Sequence, residues 1–106
     1  MHPDRVLGKR ILLADDQQGV RAAIKFLLQL DEHQVTEAVN GREALELFRQ
    51  APFDLVITDY AMPEMRGNEL AAIIKQEAPR QPILMITAYS LEVGESSRTV
   101  DAVLNK

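Results

Sequence analysis

Three aspartates carry most of the chemistry this chain can do. Asp15 and Asp16 are adjacent and follow the apolar run Ile11-Leu12-Leu13-Ala14, while Asp59 ends a second run, Leu55-Val56-Ile57-Thr58. Thr87 closes a third run, Ile83-Leu84-Met85-Ile86, and Lys106 follows Val103-Leu104-Asn105. If these runs are strands whose ends converge, each pair of carboxylates ~4–5 Å apart repels by roughly 3–4 kcal/mol at an effective dielectric near 20. A proton or a divalent cation must relieve that repulsion. Three carboxylates, a hydroxyl and an ammonium suit a hard cation with oxygen ligands beside a phosphoryl group. Mg2+ takes one or two carboxylates, keeps several waters and is completed by phosphate oxygens. An Asp carboxylate can also act as a nucleophile and form an acyl phosphate. On these grounds Asp59 is the expected nucleophile, with Asp15 and Asp16 holding Mg2+. Thr87 would donate a hydrogen bond to one phosphoryl oxygen and Lys106 would neutralise another. A single Asp after a strand is ordinarily a helix cap or a turn former. Polar groups at four strand ends together are poorly explained that way.

These residues share one edge only if strands and helices alternate, and the apolar pattern says that they do. Arg10–Ala14 reads as a buried strand. Val20, Ala23, Ile24, Leu27 and Leu28 then fall on one helical face, with Arg21, Lys25 and Gln29 turned outward. Gln34–Ala38 alternates like a half-buried strand, and Asn40-Gly41 opens a helix with Ala44, Leu45 and Phe48 as its core stripe. Asp54–Asp59 is a third strand, too apolar in its middle to face water on either side. Leu70, Ile73 and Ile74 mark another helix, stopped before Pro79. Pro82–Thr87 is the fourth strand and Ala102–Leu104 a short fifth. All five prolines lie outside the proposed helix interiors. Ser90–Thr99 is polar and interrupted by Gly94, so a helix there is expected to be short. Apolar central strands alternating with helices argue an α/β fold, a parallel sheet covered on both faces. Ligands of such sheets bind outside the carboxyl ends of the strands, which is where the acids fall.

Composition narrows the class of function. A chain of 106 residues, 46% hydrophobic and 26% charged, is expected to form one domain spanning 1–106 with an ordinary core. Its net charge of −4 and lack of any Lys/Arg run give no electrostatic reason to bind nucleic acid or an anionic membrane. The absence of cysteine excludes disulfides, thiolate metal sites and Cys nucleophiles. No signal peptide is recognised and no apolar stretch approaches ~20 residues. A cytoplasmic protein is expected.

The chain resembles the receiver domain of two-component response regulators over nearly its whole length. The matching stretches are Ile11 to Asp16, Asp54 to Pro63 with Gly67, Pro82 to Ala88, and Val103 to Lys106. The resemblance implies a flavodoxin-like, doubly wound parallel five-stranded sheet of order 2-1-3-4-5, the order known for chemotaxis receivers. It implies that Asp59 accepts a phosphoryl group from a histidine kinase or histidine phosphotransfer protein. Mg2+ would be held by Asp16, Asp59 and the backbone carbonyl of Ala61, with Asp15 acting directly or through water. Thr87 and Lys106 would bind the phosphoryl group, and phosphorylation would shift a two-state equilibrium. Such a domain is a switch rather than an enzyme, catalysing at most its own phosphorylation and dephosphorylation. Tyr89 and Ala61 would shape water access to the acyl phosphate.

Three departures from the family pattern stand out. Val103 occupies the position of the usual switch aromatic, three residues before the Lys. The span from Thr87 to Lys106 is short, so the fourth helix is expected to be shortened. The final helix of the family is absent after Lys106, which leaves the strand-five side uncovered. A truncated or naturally minimal receiver is therefore expected, one that self-associates as a homodimer through that side or is completed by another chain. The alternative function is a degenerate receiver serving as a phosphorylation-independent interaction module. A dehalogenase-type phosphohydrolase uses similar groups, but its two aspartates stand two residues apart after the first strand, not adjacent.

Overall fold

The structure, a computed structural model, describes residues 8–87 and 100–105. Five strands and three helices alternate among the described residues: β1 (Arg10–Ala14), α1 (Gln18–Leu30), β2 (Gln34–Ala38), α2 (Gly41–Gln50), β3 (Leu55–Asp59), α3 (Gly67–Glu77), β4 (Ile83–Thr87) and β5 (Ala102–Asn105). The strands form one parallel sheet in the order β2-β1-β3-β4-β5. This is the flavodoxin-like topology that the resemblance implied. Ala14 pairs with Ala38 and Thr58, Asp59 with Ile86, and Thr87 with Asn105. The register therefore brings the carboxyl ends of β1, β3 and β4 to one edge.

Alternation along the strands feeds two cores. Leu12, Ala14, Val56 and Ile83 point to the α2/α3 side, where they meet Ala44, Leu45, Leu70, Ala71 and Ile74. Ile11, Leu13 and Ile57 point to the other side and meet Ile24 and Leu28 of α1. The central strands are buried on both faces, which is why they read as continuous apolar runs. α2 begins where the sequence places it, because the Asn40 side chain accepts a 2.7 Å hydrogen bond from the Glu43 amide.

α1 packs less deeply than its periodicity implies. It holds no fully buried residue, and Leu27, expected in its core stripe, is 62% exposed together with Phe26 and Leu30. Its end carries neither Gly nor Pro. Glu32 instead takes the left-handed conformation (φ 63°) while its amide bonds the Gln29 carbonyl, a strained choice at a position that favours glycine.

The entrance to β5 is pinned by a contact that no local pattern announces. Asp101 Oδ2 accepts hydrogen bonds from Lys75 Nζ at 2.9 Å and from the Ile83 amide at 2.7 Å. Lys75 also bonds the Gln81 carbonyl at 2.6 Å, so α3, β4 and β5 meet there. The Lys75 ammonium, and secondarily the Ile83 N–H, hold the Asp101 carboxyl below its ordinary range. A depressed carboxylate pKa means that this stabilisation is complete above the unfolded value of about 3.9 and is lost as pH falls through the folded value. Asp101 is about half exposed, so screening keeps the effect modest. Urea midpoints measured between about pH 6 and about pH 3 should fall more steeply for the parent than for Asp101→Asn.

Candidate functional site

Each acid reaches the site because a strand delivers it. β1 runs into Asp15, whose amide bonds the Ala38 carbonyl at 3.1 Å as the last rung toward β2. Asp15 is 1% exposed, and its Oδ1 accepts from the Gln17 amide at 2.9 Å, turning the chain into α1. Asp59 ends β3 at 5% exposure, and its Oδ1 accepts from the Tyr60 amide at 3.0 Å. Asp16 lies at the exposed mouth. One carboxylate oxygen from each of Asp15, Asp16 and Asp59 lies within 4.8 Å of the others. The cluster holds oxygen donors and neither His nor Cys, which fits a hard divalent cation such as Mg2+ and not a soft one.

The loop after β3 is shaped by two glycines. A Cβ on Gly67 would collide with the carbonyl oxygen of Asp59 and stand 3.0 Å from its carbonyl carbon, while the Gly67 amide donates to the Tyr60 carbonyl at 2.8 Å. A Cβ on Gly41 would collide with the Met65 carbonyl oxygen and lie 2.8 Å from Met65 Cβ. The loop is therefore wedged between Asp59 and the start of α2. Ala61, two residues past Asp59, is exposed. Thr58 Oγ1 donates to the Asp59 carbonyl at 2.9 Å, which further fixes the end of β3.

Thr87 ends β4 fully buried, on the edge where the sequence expected it. Val103 packs with Met85 and Tyr60. Tyr60 is buried at 7% exposure, because its ring joins that cluster. Lys106, Tyr89 and the expected short fourth helix lie outside the described residues.

Arg21 departs from expectation. Instead of pointing outward, its Nη1 donates to the Asp15 carbonyl at 2.8 Å and its Nε to Glu37 Oε1 at 3.0 Å. Lys25 Nζ holds the other Glu37 oxygen at 3.0 Å. The Lys25 hydrogen bond, with Arg21 assisting against partial burial, keeps the Glu37 carboxyl below its ordinary range. The sequence did contain a hint. A cation in the first turn of a helix opposes the helix dipole, so its presence asks for another partner.

Comparison with known proteins agrees with this geometry. A family-level sequence profile described as "Response regulator receiver domain" matches residues 11–103. The response regulator receiver protein CpdR of Brucella abortus is 39% identical over 82 residues, covering 77% of this chain and 68% of CpdR. The chemotaxis protein CheY of Thermotoga maritima is 32% identical over 98 residues, 92% of this chain and 78% of CheY. The chain spans only about a fifth of two longer relatives, the response regulators FleR (20%) and PilR (18%) of Pseudomonas aeruginosa. Among solved structures, the response regulator TrrA of Thermotoga maritima in complex with Mg2+-BeF superposes with a TM-score of 0.89 at 37% identity, over 92% of this chain and 86% of TrrA. TrrA in complex with the histidine kinase ThkA gives a TM-score of 0.85 at 37% identity, over 92% of this chain and 85% of TrrA.

Proposed function

The chain belongs to the response regulator receiver domain family, and we propose that Asp59 is its phosphoryl acceptor, supplied by a histidine kinase or histidine phosphotransfer protein. The observation that carries this reading is the approach of Asp15, Asp16 and Asp59 carboxylate oxygens to within 4.8 Å at the carboxyl edge of the sheet. A carboxylate oxygen of Asp59 attacks phosphorus as the phosphorus–nitrogen bond of the donor phosphohistidine breaks, and the bonding pair leaves on the imidazole. Asp15, Asp16, Asp59 and the Ala61 carbonyl would hold Mg2+. When bound, that ion supplies the positive charge that lets a carboxylate and a phosphoryl group approach one another. Burial of Asp59 limits water beside the acyl phosphate, and the Tyr60 amide orients its carboxylate. Thr87 donates its hydroxyl to a phosphoryl oxygen and Lys106 places its ammonium on another, roles that rest on strand position and family likeness. Positioning and charge neutralisation are most of what phosphoryl transfer asks of a protein.

The test separates a switch from a hydrolase. With Mg2+ and a small acyl phosphate, each chain should gain at most one phosphoryl group, and simple phosphate esters should not turn over. Multiple turnover of esters would contradict the reading.

A second reading has its own observation. Leu104 on β5 is 54% exposed, while Leu84 and Ile86 on the same face of the sheet are only half buried. Apolar surface of this kind favours association, and a second copy of the chain would cover it. Sedimentation over a rising concentration series should show reversible dimerisation. A monomer throughout would remove this reading.

A further inference from the structure

Arg21 sits in the first turn of α1, where no acidic residue is present and where its charge opposes the helix dipole. Local helix preference therefore does not explain it. Its side chain runs back toward the amino end of the helix, as long helical side chains do, and is only 13% exposed. The fork of the guanidinium is split between two elements. Nη1 grips the Asp15 carbonyl at 2.8 Å, and Nε grips Glu37 Oε1 at 3.0 Å on β2. Glu37 is itself held at 3.0 Å by Lys25, one turn further along α1. The Asp15 carbonyl belongs to the peptide that joins Asp15 to Asp16, so gripping it sets where both carboxylates start.

We propose that Arg21 is a positioning residue for the acidic cluster: anchored by Glu37, it fixes the Asp15–Asp16 peptide so that the cluster binds Mg2+. This rests on the reading of the cluster as a Mg2+ site. The planar, five-donor guanidinium bonds the carboxylate and the carbonyl in one fixed geometry, whereas an ammonium is a point charge with rotatable donors. Partners of this outer kind typically change metal affinity by about 10–100-fold when removed.

The sign of the effect separates positioning from charge. Removing a cation near three carboxylates would, by Coulomb's law alone, tighten Mg2+ binding. Loss of positioning weakens it. Calorimetric titration of Mg2+ into the whole chain should therefore show Arg21→Met binding about tenfold more weakly than the parent. Arg21→Lys, which keeps the charge but not the fork, should also bind more weakly, and Glu37→Gln, which loosens the anchor, should show a smaller loss. Thermal melts identify any variant that fails to fold, and Arg21→Lys, which leaves the charge in place, then decides the matter. Parent-like or tighter Mg2+ binding by Arg21→Met, or parent-like binding by Arg21→Lys where Arg21→Met does not fold, overturns the proposal alone. A parent chain that binds no Mg2+ overturns the reading of the cluster and the proposal with it.

Discussion

A chain carrying Asp59→Asn is expected to melt at a higher temperature than the parent in metal-free buffer and to lose that advantage as Mg2+ is added. Folding forces three carboxylates to within 4.8 Å, whereas the unfolded chain lets them separate. At an effective dielectric near 20 each such pair repels by roughly 3–4 kcal/mol, and exposure of Asp16 together with salt reduces this further. A net gain of about 1–2 kcal/mol on neutralising Asp59 is the reasonable expectation, which corresponds to a shift of roughly 5 °C or more in a domain of this size. Asparagine keeps an oxygen that can accept the Tyr60 N–H, so the substitution removes charge with little loss of hydrogen bonding. If the cluster holds Mg2+ as proposed, the ion should bind the folded parent more tightly than the variant, and at a hundred times its dissociation constant it would contribute about 2.7 kcal/mol. The order of melting should therefore reverse with Mg2+. A variant less stable than the parent in chelator would mean that Asp59 is not under electrostatic strain.

Gly67→Ala should be the most damaging single methyl in the described residues. The added carbon would collide with the Asp59 carbonyl oxygen and lie 3.1 Å from Tyr60 Cα. Both obstacles are backbone, so no side chain can rotate away. Relief requires moving the start of α3 or the end of β3, and β3 is the central strand, paired on both sides. Overpacking of this kind costs about 1–3 kcal/mol and sometimes more, and a cost of about 3 kcal/mol is expected from urea unfolding. The same shift displaces Asp59, so phosphoryl uptake should slow even where the variant remains folded. Parent-like stability and uptake would show that the close approach is not constraining.

Much of this was legible in the chain because two periodicities carry it. Strand-length apolar runs ending in Asp16, Asp59 and Thr87 were enough to place those residues on one edge, since a parallel sheet has only one carboxyl edge. The strand order came from family likeness, because periodicity does not say which strands are neighbours. The buried face of α1 is narrower than its apolar stripe. Periodicity assigns Leu27 to the apolar stripe, but the helix meets the sheet along a narrower line through Ile24 and Leu28. Helical spacing turns Arg21 to solvent because it describes where a Cα lies, not how far a long side chain reaches. The Asp101 pin joins residues 18 and 26 positions apart, a distance over which no local pattern operates. Gly67 was visible as a letter, but the reason for it is a neighbour eight residues earlier that only the fold supplies.

The central claim is that Asp59 takes the phosphoryl group in a Mg2+-dependent way. Intact-mass measurement after incubation with a small acyl phosphate tests it most directly, with the parent, Asp59→Asn and Asp15→Asn treated alike. The account predicts one added phosphoryl group on the parent with Mg2+, none with chelator, none on Asp59→Asn, and a strongly reduced amount on Asp15→Asn. A full phosphoryl gain by Asp59→Asn, or no gain by the parent in Mg2+, would contradict it.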